Sequence, residues 1–203
     1  MTDYHKYVFD QSERKFLGHF EEMYKAEKKG AFDSWRQDDL RLLDVNICRA
    51  ILDQYIFTNV LDVGCGKGAF TQFLKKQNND VLALDISSTA IERAKVRYPD
   101  IRFQQADVTQ RDWLQIAGRG YDLVSCLELL SYVEDWRRLL KEFSQLGQFT
   151  LIKLFVPDNP IGYAKTMDAL AHEFSTYFEI IEDIRMNNRK HIILFGRSVL
   201  GKP

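Results

Sequence analysis

The glycine-rich stretch at residues 60–70 constrains this chain more than any other part of it. Apolar residues around Asp62 form a short run typical of a buried strand, and Gly64, Gly66 and Gly68 follow before an apolar helix start. Glycine adopts positive φ angles at little cost and lets a ligand approach closer than a Cβ would allow. The helix behind such a loop begins with unpaired N–H groups and the positive end of its dipole. This order of strand, glycine loop and helix predicts the ligand-binding turn of an α/β fold.

The composition is that of one globular domain and argues against several classes of protein. The chain has 203 residues, of which 45% are hydrophobic and 28% charged, which is enough for one sizeable core. Its formal net charge of −1 gives no overall attraction to nucleic acid or to an anionic membrane. The three cysteines are far apart, and neither an apolar signal sequence nor a membrane-spanning run is present. We therefore expect a cytoplasmic domain that acts neither on nucleic acid nor at a membrane.

The N-terminal quarter of the chain has the spacing of helices. Residues 1–10 are polar and aromatic and are expected to form an arm. Apolar residues at helical spacing predict a helix that begins at Ser12 and ends at about Lys28. A second helix is predicted from about Asp38 to Ile56.

The rest of the chain alternates between strands and helices. The run 80–85 is almost entirely apolar, as a parallel strand buried on both faces should be. It ends in Asp85, which lies 21 residues after Gly64. A carboxylate there can accept hydrogen bonds from both ribose hydroxyls of an adenosine ligand, and Ile86 would pack on the adenine. Further strands are predicted at 101–105, 121–128 and 149–156, with helices between them, and a terminal hairpin at 178–184 and 191–195.

Three motifs in this order resemble those of class I S-adenosylmethionine (SAM) dependent methyltransferases. Asp62 and the three glycines resemble the first motif of that family, D-x-G-x-G-x-G. Asp107 and Val108, after the third strand of the core, resemble its adenine-recognition motif. The sequence Y-D-L-V at 121–124 resembles its fourth motif. The resemblance covers roughly residues 56–197.

This resemblance implies a doubly wound α/β fold with a seven-stranded, mostly parallel sheet. The family's sheet ends in an antiparallel β-hairpin, and an N-terminal helical lid closes over the cofactor in many of its small-molecule members. We therefore expect a lid at residues 1–57 and a SAM-binding core at residues 58–203 within one domain. The cofactor is expected to be SAM, with S-adenosylhomocysteine (SAH) as product. The expected cofactor-binding residues are Trp35, Asp62, Gly64, Gly66, Gly68, Asp85, Ile86, Asp107, Val108 and Leu127.

The same resemblance implies a small-molecule methyl acceptor, methylated on oxygen or nitrogen. Residues that leave the fourth strand should face the reaction centre, which makes Glu128 and Tyr132 candidate acceptor contacts. Tyr24 on the lid and Tyr163 on the loop after the fifth strand are further candidates. The four histidines show no metal-ligand spacing, so no metal is expected. The sequence identifies no catalytic base.

Two alternatives differ from a methyltransferase in function. One is a SAM-binding sensor or partner protein without transferase activity. The other is an NAD(P)-dependent oxidoreductase, because Gly64-x-Gly66-x-x-Ala69 also fits the dinucleotide fingerprint. An oxidoreductase would need a substrate domain as well, for which we expect no length to remain.

Overall fold

The computed structural model describes residues 4–30 and 32–200, which alternate between helices and strands along most of their length. In chain order the elements are α1 (His5–Val8), β1 (Phe9–Asp10), β2 (Lys15–Phe16), α2 (Phe20–Lys28), α3 (Leu43–Leu52), β3 (Asn59–Val63), α4 (Thr71–Leu74), β4 (Asp80–Asp85), α5 (Ser88–Arg97), β5 (Arg102–Gln105), α6 (Trp113–Ala117), β6 (Tyr121–Leu127), α7 (Trp136–Leu146), β7 (Gly147–Phe155), α8 (Met167–Tyr177), β8 (Phe178–Met186) and β9 (His191–Ser198). Short 3-10 turns lie at Ser34–Arg36, Leu130–Tyr132 and Asn187–Arg189.

A seven-stranded sheet in the order β5-β4-β3-β6-β7-β9-β8 organises the fold. The strands from β5 to β7 run parallel, and β9 pairs antiparallel with both β7 and β8. The chain order reverses between β3 and β6, so the topological switch point lies at their carboxyl ends, where such sheets bind ligands. This confirms the predicted doubly wound fold and its terminal hairpin.

Helices cover both faces of the sheet, because the parallel strands are apolar on both sides. On one face, Trp113, Trp136 and Phe174 bring α6, α7 and α8 against Leu61 and the other side chains of one core cluster. On the other face, Ile51 and Ile91 belong to a second cluster, together with Val60, Leu123 and Phe195 from the strands. Fully burying one such side chain contributes about 1.5–3 kcal/mol.

The aspartate of the Y-D-L-V motif fixes the start of the central strand. The Asp122 carboxylate accepts hydrogen bonds from the backbone N–H groups of Thr58 and Asn59, at 2.7 and 3.1 Å, and from the Thr58 hydroxyl at 2.5 Å. These contacts hold β3 in register beside β6. Asp122 of the Y-D-L-V motif therefore has a structural role in this chain.

The predicted helix at Ser12 is wrong in its first part. The Asp10 carboxylate accepts hydrogen bonds from the Ser12 N–H at 2.9 Å, the Ser12 hydroxyl at 2.6 Å and the Glu13 N–H at 3.0 Å. This local turn competes with helix formation and joins β1 to β2 in a short hairpin, so α2 begins only at Phe20. Residues 1–3 of the predicted arm lie outside the described residues.

Other predicted boundaries are also too wide. The second helix is shorter than the range 38–56, because the chain before Leu43 is folded into turns that place its aspartates on the core. The helix before the hairpin, expected to start between Tyr163 and Lys165, begins at Met167, where the Thr166 hydroxyl accepts a hydrogen bond from the Ala169 N–H at 3.1 Å. No helix among the described residues has the length and apolar content needed to cross a bilayer.

Candidate functional site

A cavity that opens to solvent lies over the carboxyl ends of β3, β4 and β6. Its floor belongs to the sheet, and its other wall belongs to residues 20–30 and 32–42, which we call the cover segment. The cover segment contributes Phe20, Tyr24, Trp35 and Gln37 to the lining. The sheet and the cover segment therefore line one cavity at the edge of the sheet where the glycine loop lies.

The structure brings most of the predicted site residues together in this cavity. Its lining includes Tyr24, Trp35, Asp62, Gly64, Asp85, Ile86, Asp107, Val108, Leu127, Glu128 and Tyr132. Gly66, Gly68 and Tyr163 are not among the lining residues. The Tyr163 ring instead packs edge-on against Phe16, with ring centroids 5.8 Å apart, and its N–H donates to the Ser131 carbonyl at 2.8 Å.

Gly66 lies directly beneath the cover segment. It has a φ of +53°, and a Cβ at this position would lie 2.7 Å from the Tyr24 hydroxyl. The Tyr24 hydroxyl accepts a hydrogen bond from Gln37 Nε2 at 2.9 Å, and Gln37 Oε1 accepts one from the Lys67 N–H at 3.1 Å. A side chain at Gly66 would displace these groups, so both the backbone angle and the close approach require glycine here.

Asp85 lies at the end of β4, against the glycine loop. Its Oδ2 accepts a hydrogen bond from the Gly66 N–H at 2.8 Å, and its Oδ1 accepts one from the Ser87 N–H at 2.9 Å. Burial raises the pKa of this carboxyl to about 6. Burial also raises the pKa of Asp62 to about 6, although the Thr71 hydroxyl donates to Asp62 at 2.6 Å. Both carboxyls are therefore held in the cavity with little compensating positive charge.

The Glu128 carboxylate belongs to a network of ion pairs and hydrogen bonds, so it does not point unpaired into the cavity. Its Oε2 accepts a hydrogen bond from the Phe155 N–H at 2.8 Å, and its Oε1 lies 2.9 Å from the Lys153 ammonium and 3.4 Å from His191 Nε2. Lys153 also binds Asp44 at 2.6 Å. Burial opposes ionisation of Glu128, but the charges of Lys153 and His191 outweigh it and lower the pKa to about 2. Glu128 is therefore a weak base that stays ionised.

Aromatic side chains form the wall of the cavity beside Glu128. Tyr132 accepts a hydrogen bond from Trp35 Nε1 at 2.8 Å, and Phe20 meets the Tyr132 ring edge-on with centroids 5.4 Å apart. Burial raises the pKa of Tyr132 well above its usual value, so the phenol stays protonated. Its O–H remains a donor for a ligand in the cavity.

Sequence reasoning missed two buried lysines at this site. Lys67, between two glycines of the loop, has a side chain that is only 2% exposed, and Lys153 near the end of β7 is 7% exposed. A lysine in a loop and a lysine at a strand end are both expected in solvent, and no local pattern indicates otherwise. The groups around both lysines also have the spacing of a metal site. Lys67 is surrounded by Glu27, Asp33 and Asp38. Lys153 is surrounded by Asp44 and Glu128, and His191 lies beside them. In each group a lysine ammonium supplies the positive charge.

Comparisons with known proteins agree with this geometry. A family model for a methyltransferase domain matches residues 60–147. Ubiquinone biosynthesis O-methyltransferase of Coxiella burnetii is 33% identical over 92 residues, which cover 43% of this chain and 38% of that protein's length. Nodulation protein S of Sinorhizobium fredii is 28% identical over 145 residues, covering 68% of this chain and 63% of that protein.

Solved structures share the fold. The crystal structure of the N-methyltransferase NodS from Bradyrhizobium japonicum, in complex with SAH, has a TM-score of 0.70 and 21% sequence identity. The similarity covers 87% of this chain and 98% of that chain. The magnesium protoporphyrin IX methyltransferase of Synechocystis, with bound SAM, has a TM-score of 0.62 and 20% identity, covering 76% of this chain and 77% of that chain.

Proposed function

We propose that this chain is a class I SAM-dependent methyltransferase and that it transfers a methyl group from SAM to an oxygen or nitrogen atom of a small metabolite. The observation that carries the proposal is the position of Asp85. It lies at the end of β4, beside Gly66 and within the cavity at the switch point of the sheet. A carboxylate in that place is suited to a ribose.

The residues around Asp85 fit the remaining parts of SAM. We assign the ribose hydroxyls to Asp85, the adenine ring to Ile86 and Val108, and the adenine amino group to Asp107. We assign the cationic end of the cofactor to Asp62, Gly64 and Gly66, because a carboxylate beside the glycines favours positive charge there. Trp35 and Leu127 complete the wall of the cavity. A Cβ at Gly66 would meet Gln37 Oε1 and the Tyr24 hydroxyl, so the cover segment packs directly on this part of the glycine loop.

The protein's part in the reaction is to align the acceptor and to exclude water. When bound, SAM supplies a methyl group already activated by its sulfonium sulfur. The aromatic wall and the cover segment would hold the acceptor in line with that methyl group and away from solvent. Tyr24, Glu128 and Tyr132 are our candidates for acceptor contacts. Because Glu128 is a weak base, we assign it to orientation rather than to proton removal.

We further propose that residues 1–57 act as a lid on the core at residues 58–203. In support, the cover segment and the sheet line one cavity. The cysteines among the described residues are buried and unpaired, which is consistent with a reducing compartment such as the cytoplasm.

Calorimetric titration with SAM, SAH and NADH tests the cofactor assignment. We expect micromolar binding of SAM and SAH and no binding of NADH. Binding of NADH in their place would contradict the proposal and favour an oxidoreductase. Binding of SAM without methylation of any compound in an acceptor panel would favour a sensor or partner protein.

The affinity for SAH should depend on pH through Asp85. The carboxylate must be ionised to accept both ribose hydroxyls, and its folded-state pKa is about 6. Lowering the pH from 7 to 5 protonates it, so SAH must displace a proton and its affinity should fall roughly tenfold. Titrations at pH 5, 6 and 7 measure this. The Asp85→Ala variant retains Asp62. If the pH dependence of SAH affinity persists unchanged in that variant, the titrating group is Asp62 instead.

A further inference from the structure

Lys67 joins the glycine loop to the cover segment. Its ammonium lies 2.6 Å from Glu27 Oε1, 2.8 Å from Asp33 Oδ1 and 2.8 Å from Asp38 Oδ2. All three carboxylates belong to the cover segment, and they lie 29 to 40 residues before Lys67 in the sequence. A lysine with three donors satisfies all three acceptors at once. We call this group the Lys67 cluster.

The charges of the Lys67 cluster are balanced by two arginines of α5. Arg93 Nη1 lies 3.1 Å from Glu27 Oε1, and Arg97 binds Asp38. Three carboxylates therefore face three cations. Such pairing matters most for Lys67 and Glu27, which are each only 2% exposed.

The cluster has a closed inner part and an accessible outer part. Glu27 is 2% exposed, and its second partner Arg93 keeps it on α5 even without Lys67. Asp33 and Asp38 are 35% and 41% exposed, so water can replace the ammonium at either of them. The outer part therefore opens at lower cost than the inner part, and α2 stays in place when the chain at 32–42 moves.

The chain at 32–42 is the part that reaches into the cavity. It carries Trp35 and Gln37, and Gln37 accepts a hydrogen bond from the Lys67 N–H, so Lys67 holds this stretch by both its backbone and its side chain. Trp35 and Arg36 both have a φ of +53°, which is a strained conformation for residues with a Cβ. Such strain persists only where surrounding contacts enforce it, and the Lys67 cluster supplies those contacts.

We propose that Lys67 is a positioning residue that holds residues 32–42 closed over the cofactor cavity, and that Asp33 and Asp38 must release it for cofactor exchange. This rests on the proposed binding of SAM. It explains why the glycine loop carries a lysine whose side chain is turned away from the ligand and into the cover segment. Lys67 then sets how long the cofactor stays bound, without contacting the reacting atoms.

The test compares the Asp33→Asn/Asp38→Asn double variant with wild type. Both positions are partly exposed and the amides are isosteric, so the fold should persist. In the unliganded protein, amide hydrogen exchange at 32–42 should accelerate about five- to thirtyfold, while exchange in β3 and β4 is unchanged. By stopped-flow, the dissociation rate of SAH should rise by a similar factor.

Salt and two variants of Lys67 separate positioning from general stability. Raising NaCl from 0.05 to 0.5 M should speed SAH release from wild type but not from the double variant, because the ion pairs it screens are already absent there. Lys67→Arg should retain slow release, whereas Lys67→Met should not. Asp53→Asn is the matched control, since Asp53 pairs with Lys76 on the surface at 3.2 Å, and it should change none of these rates.

Each outcome decides the proposal. Unchanged amide hydrogen exchange at 32–42 in the double variant would overturn it. Equal acceleration of that exchange throughout the sheet would overturn it too, as would the same salt dependence of SAH release in wild type and the double variant. If wild-type protein fails to bind SAH, the proposed function fails, and the exchange measurement on the unliganded protein still tests whether the Lys67 cluster holds the segment.

Discussion

Asp85→Ala should lower the affinity for SAH about 100-fold. We propose that the carboxylate accepts two hydrogen bonds from the ribose, and each hydrogen bond to a charged group contributes about 1.5–3 kcal/mol. Part of that is offset because the ionised carboxylate is costly to keep buried, as its raised pKa indicates. A net loss of about 2.7 kcal/mol corresponds to a factor of 100 in the dissociation constant. Calorimetric titration measures the change.

Asp80→Ala is the matched control for this variant. Asp80 is an exposed aspartate at the other end of the same strand, so its removal should leave the affinity unchanged. Thermal unfolding without ligand should confirm that the Asp85→Ala protein is folded. An affinity within twofold of wild type in a folded Asp85→Ala protein would contradict the assignment of the ribose to this residue.

Lys153→Met should lower the free energy of unfolding by about 3–5 kcal/mol, because it leaves the buried Asp44 carboxylate with only His191 Nε2, 3.8 Å away, as a charged partner. Asp44 is 5% exposed, and the Lys153 ammonium at 2.6 Å neutralises it. Glu128 also loses its ammonium but retains His191, 3.4 Å away. Denaturant unfolding at pH 7 measures the change. Because the network joins α3 to the strand ends, we expect the hydrogen exchange of α3 to increase as well.

A double variant separates lost compensation from lost packing. Asp44→Asn/Lys153→Met removes both charges of the closest pair, so at least half of the stability lost in Lys153→Met should return. Lys76→Met removes an exposed lysine that pairs with an exposed Asp53, and should change the free energy of unfolding by less than about 1 kcal/mol. A double variant no more stable than Lys153→Met would show that the lost stability comes from packing of the lysine stem.

The core of the fold follows from local sequence. The sequences of β3, β4 and β6 are mostly apolar because helices cover both faces of these strands. This apolar pattern can be recognised without knowing which helices cover them. The backbone of the glycine loop requires positive φ angles, which favours glycine at these positions. The number of residues between the loop and Asp85 is that of one strand–helix–strand unit. For this reason, most of the predicted cofactor-binding residues line a single cavity.

The N-terminal segment could be predicted only in part. Phe20, Met23 and Tyr24 have helical spacing and lie in a helix, but the same reasoning extended that helix back through Ser12. There the Asp10 carboxylate accepts hydrogen bonds from the backbone N–H groups of Ser12 and Glu13, which stabilises a turn instead of a helix. Turn and helix are close in free energy over such a short stretch, so packing against the rest of the protein decides between them.

The sequence by itself thus determined the succession of strands and helices, the glycine loop and the carboxylates near the strand ends, because each depends on residues close together in the chain. Only the tertiary structure decided that Lys67 and Lys153 are buried, that the charge of Glu128 is held by a lysine, and that Tyr163 lies away from the cavity. Lys153 and Asp44 are 109 residues apart. Ion pairs across such separations have no sequence periodicity, and a lysine's environment is set by which distant carboxylates the folded sheet brings to it.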